Sequence, residues 1–155
     1  MTNKILLSTL VASSLLLSAS ATAEDATGTA NFNLVYPLTV TEATALEFGD
    51  VSIVADGNCG VDFAGGTTGT ICVSGGATQA AGVFTVTGAN GSVNVSVSGA
   101  NSSVDGVVFT PSVANASETI SGNTASINVA GNLAITAADA TAGTHALSYT
   151  LSVTY

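Results

Sequence analysis

Hydrophobic and polar residues alternate along much of this chain with a period of two, and helical spacing is absent. Val83, Thr85 and Thr87 oppose Phe84 and Val86. Val93, Val95 and Val97 alternate with Asn94, Ser96 and Ser98, and Ile127 and Val129 alternate with Asn128 and Ala130. Successive side chains of a strand point to opposite faces, so the pattern predicts strands with one buried face. Gly65-Gly66, Gly75-Gly76, Gly88-Ala89-Asn90-Gly91 and Gly131-Asn132 separate the runs and read as turns. Many short strands at this spacing predict an all-β fold, a β-sandwich with a thin core of Val, Leu and Ile.

Two runs are longer than the rest. From Ala26 the even positions are Ala26, Gly28, Ala30, Phe32, Leu34, Tyr36, Leu38 and Val40, all apolar or Gly. The odd positions are Thr27, Thr29, Asn31, Asn33, Val35, Pro37, Thr39 and Thr41. Fully extended, this run reaches about 50 Å, whereas strands usually have about five or six residues. Pro37 has no amide proton and interrupts a ladder. The run therefore divides into an arm, residues 24–34, and a domain strand beginning near Val35. The second run is C-terminal. Leu147, Tyr149, Leu151, Val153 and Tyr155 share one face, and Ser148, Thr150, Ser152 and Thr154 share the other. It predicts a strand that runs to Tyr155.

The first segment has another character. Lys4 precedes an apolar run from Ile5 to Leu17, and Ala21-Thr22-Ala23 is an A-x-A cleavage site. Residues 1–23 read as a signal peptide, with the mature chain starting at Glu24. The apolar run is shorter than the roughly 20 residues of a membrane span. The predicted organisation is a signal peptide (1–23), an arm (24–34) and a sandwich domain (35–155), exported and without membrane insertion.

Charge narrows the partners. Lys4 is the only Lys or Arg in the chain, against ten Asp and Glu. Nucleic acids and anionic lipid surfaces are bound through Lys and Arg, so both are excluded as partners. Cys59 and Cys72 are the only cysteines. In an exported chain such a pair reads as a disulfide, with two buried thiols as the other arrangement. A metal site needs more ligands than one His adds.

No catalytic pattern is present. His145 is the only histidine and has no acidic neighbour in sequence, so a triad lacks its parts. Glu47 and Asp50 flank Phe48-Gly49 and read as surface charge. Asp56 and Asp62 lack the D-x-D-x-D spacing of a calcium loop. No phosphate-binding Gly motif with its Lys occurs. The reading is a protein without enzyme activity, cofactor or metal.

Three patches carry a resemblance. Tyr36-Pro37-Leu38-Thr39-Val40-Thr41 with Ala45-Leu46-Glu47-Phe48-Gly49 resembles a family of small secreted bacterial proteins of unknown function found near chaperone–usher genes. The ending from Ala142 to Tyr155 is similar to the last strand of spore coat protein U-like and archaic chaperone–usher pilins. The resemblance implies an incomplete immunoglobulin-like, pilin-type sandwich that is completed by a strand from another copy. The donor would be Ala26, Gly28, Ala30, Phe32 and Leu34. The acceptor groove would be walled by Leu38 and Val40 on one side and by Leu147, Tyr149, Leu151, Val153 and Tyr155 on the other. The implied partners are other copies of the chain, a periplasmic chaperone and an outer-membrane usher. The implied location is a surface fibre of a Gram-negative bacterium. The cysteines depart from the family pattern, because they close a local loop. The competing expectation is a monomeric, for example carbohydrate-binding, envelope domain whose N-terminal strand folds into its own sheet.

Overall fold

The computed structural model describes residues 23–155; the expected signal peptide lies almost wholly outside the described residues. Residues Leu34–Tyr155 form one compact unit, and residues up to Asn33 fall outside it. The compact unit holds nine strands: β1 (Thr39–Thr44), β2 (Gly57–Val61), β3 (Thr67–Gly69), β4 (Gly82–Thr87), β5 (Gly91–Ser98), β6 (Val107–Val113), β7 (Ser117–Ile120), β8 (Thr124–Ile135) and β9 (Thr150–Thr154). All pairings are antiparallel and neither sheet is closed.

β8 is the spine of the larger sheet. Its first half pairs with β4, from Thr87↔Thr124 to Gly82↔Val129, and β4 carries β1 on its other side. Its second half lies between β2 and β6, with Leu133 opposite both Cys59 and Phe109. The smaller sheet has the order β7-β5-β9. The inward residues of β4, β5, β7 and β8 meet in a core of Val86, Val93, Val95, Ile120 and Ile127. Alternation in β5 is complete there: Val93 and Val95 are buried and their neighbours exposed. That is the physical origin of the sequence pattern, since only one face of each strand leaves water.

A second cluster, of Cys59, Ile71 and Ile135, sits under β2 and the far half of β8. The Cys59–Cys72 disulfide lies in it, joining β2 to a segment that also bridges Val51 to Cys72. Asp62 accepts hydrogen bonds from the amides of Ala64 and Gly66, both 2.8 Å, which fixes the β2–β3 turn. Asp56 caps the amide of Ala137 at 2.7 Å, far from Asp62 in role.

Three sequence expectations are corrected. The first domain strand begins at Thr39 rather than near Val35, because its partner β4 ends at Thr87, opposite Thr39, and Val35–Leu38 have no ladder to join. Gly131-Asn132 is no turn, because β8 runs straight through it. A Cβ at Gly131 would lie 2.8 Å from the Phe109 ring, 2.9 Å from Leu46 and 3.1 Å from Phe48. The glycine serves close packing of side chains on the strand rather than chain reversal. The C-terminal strand begins at Thr150 rather than Leu147. Its partner β5 ends at Ser98, opposite Thr150, and Gly99 turns away at φ +101. Beyond that point Leu147–Tyr149 have no ladder to join.

Candidate functional site

Each sheet ends on a strand paired along one side only, β1 on β4 in one and β9 on β5 in the other. Every residue of β1 is exposed, including those of the face that a second layer would cover. An uncovered edge presents a row of free amide and carbonyl groups, which invites pairing. The two edges converge at one end. The hydroxyl of Tyr155 donates to the carbonyl of Tyr36 at 3.3 Å and accepts from the amide of Ala89 at 2.7 Å. Leu38, Leu151 and Val153 pack there against the Val86–Ile120 core.

Toward the other end the edges open into a groove. A cavity of about 800 Å³ lies between the segment from Glu42 to Ile53 and the segment from Ala140 to Tyr149. Phe109, Leu133 and Ile135 form its floor, with Leu46 and Phe48 on one wall and Leu147 on the other. A smaller hollow of about 310 Å³ adjoins it, between Glu42, Phe84, Leu147 and Tyr149. The aromatic rings meet edge to face in a continuous chain. Phe48 contacts Phe109 at 5.8 Å, Phe109 contacts Tyr149 at 5.8 Å, and Tyr149 contacts Phe84 at 6.0 Å. Such contacts fix ring orientation. The groove therefore has a set shape before anything enters it.

Tyr149 carries a cost. Its hydroxyl fills the space that a side chain at Gly82 would need, and it has no hydrogen-bond partner. Burial, and then the nearby Glu42 carboxylate, push its pKa above the usual tyrosine value.

The sequence-predicted acceptor residues fall into two groups. Leu147 and Tyr149 line the open groove. Leu38, Leu151, Val153 and Tyr155 lie at its converged end, and Val40 stands exposed on β1. Most of the cavity comes from residues outside that set: Leu46, Phe48, Phe109, Leu133 and Ile135. Leu46 and Phe48 had a local signal, an i, i+2 apolar pair. Leu133 and Ile135 form the same kind of pair, but nothing local signals that β6 and β8 bring them and Phe109 to this place from distant parts of the chain.

The donor residues carry no strand. Ala26, Gly28, Ala30, Phe32 and Leu34 are all exposed, Phe32 at 81% and Leu34 at 86%. His145 is exposed, and its Nε2 lies 3.0 Å from the carbonyl of Thr141. Among the described residues no group of three or more His, Cys, Asp and Glu is placed to hold a metal, and no helix is long and apolar enough to cross a membrane. The disulfide is consistent with an exported protein.

An open all-β sandwich with two facing unpaired edges is the class that this geometry defines. Comparisons with protein-family models, with curated proteins and with solved structures found no match.

Proposed function

We propose that the chain is a structural subunit of an extracellular fibre, whose immunoglobulin-like sandwich is completed by residues 24–34 of the next copy. The observation that carries this reading is the pairing of two incomplete features. One is a groove with an apolar floor that opens beyond the ends of the two edge strands, from Glu42 of β1 to Tyr149 just before β9. The other is an arm without a strand that exposes the alternating row Ala26, Gly28, Ala30, Phe32 and Leu34. Strand addition would supply main-chain hydrogen bonds to both edges while alternate side chains enter the groove. Each such bond contributes roughly 1 kcal/mol net, and burying Phe32 and Leu34 adds about 1.5–3 kcal/mol each. Export to the cell surface through a chaperone and usher belongs to the same proposal.

The taper of both partners supports completion in trans over completion by the chain's own arm. The arm is small at its start (Ala26, Gly28, Ala30) and large at its end (Phe32, Leu34). The groove is closed at the Tyr36–Tyr155 end and wide at the Leu46–Leu147 end. A chain's own arm is tethered at Tyr36, so folding back would place its large residues at the closed end and its small ones in the cavity. An arm from another copy is free to run the other way, parallel to β1, with Phe32 over the cavity.

The test is deletion of residues 24–33. The shortened chain is expected to keep its folded sandwich and disulfide and to form no fibres. Fibres of normal length from the shortened chain, or a full-length chain that stays monomeric at every concentration, would overturn the proposal.

A further inference from the structure

The outer face of the larger sheet is a two-dimensional array of hydroxyl groups. Strand register sets Thr39, Thr87 and Thr124 side by side on β1, β4 and β8, and it sets Thr41, Thr85 and Ser126 side by side in the next outward row. All six are exposed, while Val86 and Ile127, between them in sequence, are buried in the core on the other side of the sheet. Outward neighbours on adjacent strands stand about 5 Å apart, and outward positions along one strand repeat at about 6.7 Å. Thr is stiff at χ1, so the backbone fixes where its hydroxyl and its methyl point. The hydroxyls of Thr39 and Thr87 also hydrogen-bond to each other. Spacing and orientation are therefore set before any ligand arrives.

The array is free of charge and of aromatic rings. Its next row is Thr44, Val83 and Asn128, and Glu42 of β1 is turned the other way, into the groove. An ionic ligand finds no counter-charge here. A protein partner finds none of the aromatic or Arg anchors that carry most interface energy. A sugar ring has no aromatic face to lie on. The complementary surface is one that itself repeats hydrogen-bonding oxygens in two directions at spacings near these, and the prism faces of hexagonal ice do so. An ionised side chain would hold its own water shell out of register with such a surface, which the lack of charge avoids. We infer that the outer face of β1, β4 and β8 binds ice through Thr39, Thr41, Thr85, Thr87, Thr124 and Ser126. Each hydroxyl takes a position equivalent to a lattice water, and each Thr methyl fills the space between. Ice cannot advance where the protein is adsorbed, so crystal growth slows. The face lies across the sheet from the core and apart from the groove, and the inference does not rest on the fibre reading.

The test uses the chain from residue 24 to 155, fluorescently labelled at its N-terminal amine. It is presented to a slowly growing single ice crystal and, separately, to fine-grained ice in a frozen sucrose solution. The label is expected to enter the crystal, and the ice grains should coarsen more slowly than without protein. Thr85→Lys puts a hydrated charge in the middle of the array. It should abolish both effects and leave the thermal midpoint and the disulfide unchanged. Thr87→Ala removes one hydroxyl without adding charge and should weaken both effects. Ser102→Lys places the same charge in the exposed loop after β5 and should retain both. Exclusion of the unaltered chain from ice would overturn the inference, and so would a folded Thr85→Lys chain that binds as well as the unaltered one. Equal loss in Thr85→Lys and Ser102→Lys would assign the effect to charge alone and overturn it too. Retention on microcrystalline cellulose that Thr85→Lys removes, without adsorption to ice, would overturn it in favour of a polysaccharide surface.

Discussion

Tyr155 and Tyr36 join the end of the chain to the segment that leads into its first strand, through a 3.3 Å hydrogen bond from the Tyr155 hydroxyl to the Tyr36 carbonyl. The same hydroxyl accepts from the Ala89 amide at 2.7 Å, so one side chain ties together three segments from both sheets. Tyr155→Phe keeps the ring and removes both bonds. It should destabilise the protein by about 1–2 kcal/mol. The measurement is a urea midpoint, which should fall with an unchanged slope. No shift in midpoint would mean that the converged end of the groove is held by the packing of Leu38, Leu151 and Val153 alone.

The disulfide should matter more. Cys59 is fully buried, and the bridge spans 13 positions in a cluster that continues into the groove floor through Phe48, Leu133 and Ile135. A loop of that size stabilises by about 3 kcal/mol through the unfolded chain. Cys59→Ala with Cys72→Ala should lose about that amount in chemical denaturation. Reduction of the native protein should expose the aromatic floor, read as added binding of a hydrophobic dye.

Gly131 gives a third expectation. Any Cβ there meets the Phe109 ring, Leu46 and Phe48 within 3.1 Å. Gly131→Ala should cost about 1–3 kcal/mol by overpacking and displace the aromatic wall of the groove. Near-ultraviolet circular dichroism of the Phe and Tyr rings, together with the thermal midpoint, would report both effects. An unperturbed spectrum with an unchanged midpoint would contradict the packing described above.

That glycine also shows where sequence pattern stops being informative. β4 and β5 were legible because each buries one face only, so Phe84–Val86 and Val93–Val97 alternate cleanly. β8 was legible as far as Ala130. There its surroundings change from one covered face to neighbours on both edges, and Ala130-Gly131 is buried on successive positions. A Gly-Asn pair in that setting looks like a turn. β6 and β7 were not read at all. Pro111 sits within β6, opposite Gly131, and β7 has only four residues. Beside the groove, the alternation around Leu38–Val40 and Leu151–Val153 made the edge strands β1 and β9 legible. The floor is made where β6 and β8 cross the segment around Phe48, a meeting that no local period encodes.

Tyr149 should impose an alkaline limit. Its pKa is raised, first by burial and then by Glu42, so the folded protein holds the hydroxyl proton more tightly than the unfolded chain does. That contribution is fully present below about pH 10, the ordinary tyrosine value, and is lost as pH rises through the folded pKa. Stability should therefore fall with pH in that range. Tyr149→Phe should flatten the fall. At neutral pH it should be neutral or stabilising, since it removes a buried hydroxyl without a partner. Denaturant titrations of both proteins at neutral and alkaline pH decide this. A strongly destabilised Tyr149→Phe at neutral pH would show that the hydroxyl is bonded in solution.

The fibre reading makes a sharper demand, because a head-to-tail contact has two unlike halves. Phe32 belongs to the donating half and is 81% exposed, so Phe32→Asp should leave the sandwich intact and spoil only donation. Leu147 belongs to the receiving half and lies outside any ladder, so Leu147→Asp should spoil reception. Neither variant should polymerise alone. Mixed together they still hold one good arm and one good groove between them, and should form a heterodimer and nothing longer. Each added to the unaltered chain should cap growth at opposite ends and shorten fibres in proportion to its fraction. Sizing by light scattering and electron microscopy reads all of these outcomes. Restored long fibres from the two variants together would mean that contacts other than the arm and the groove build the assembly.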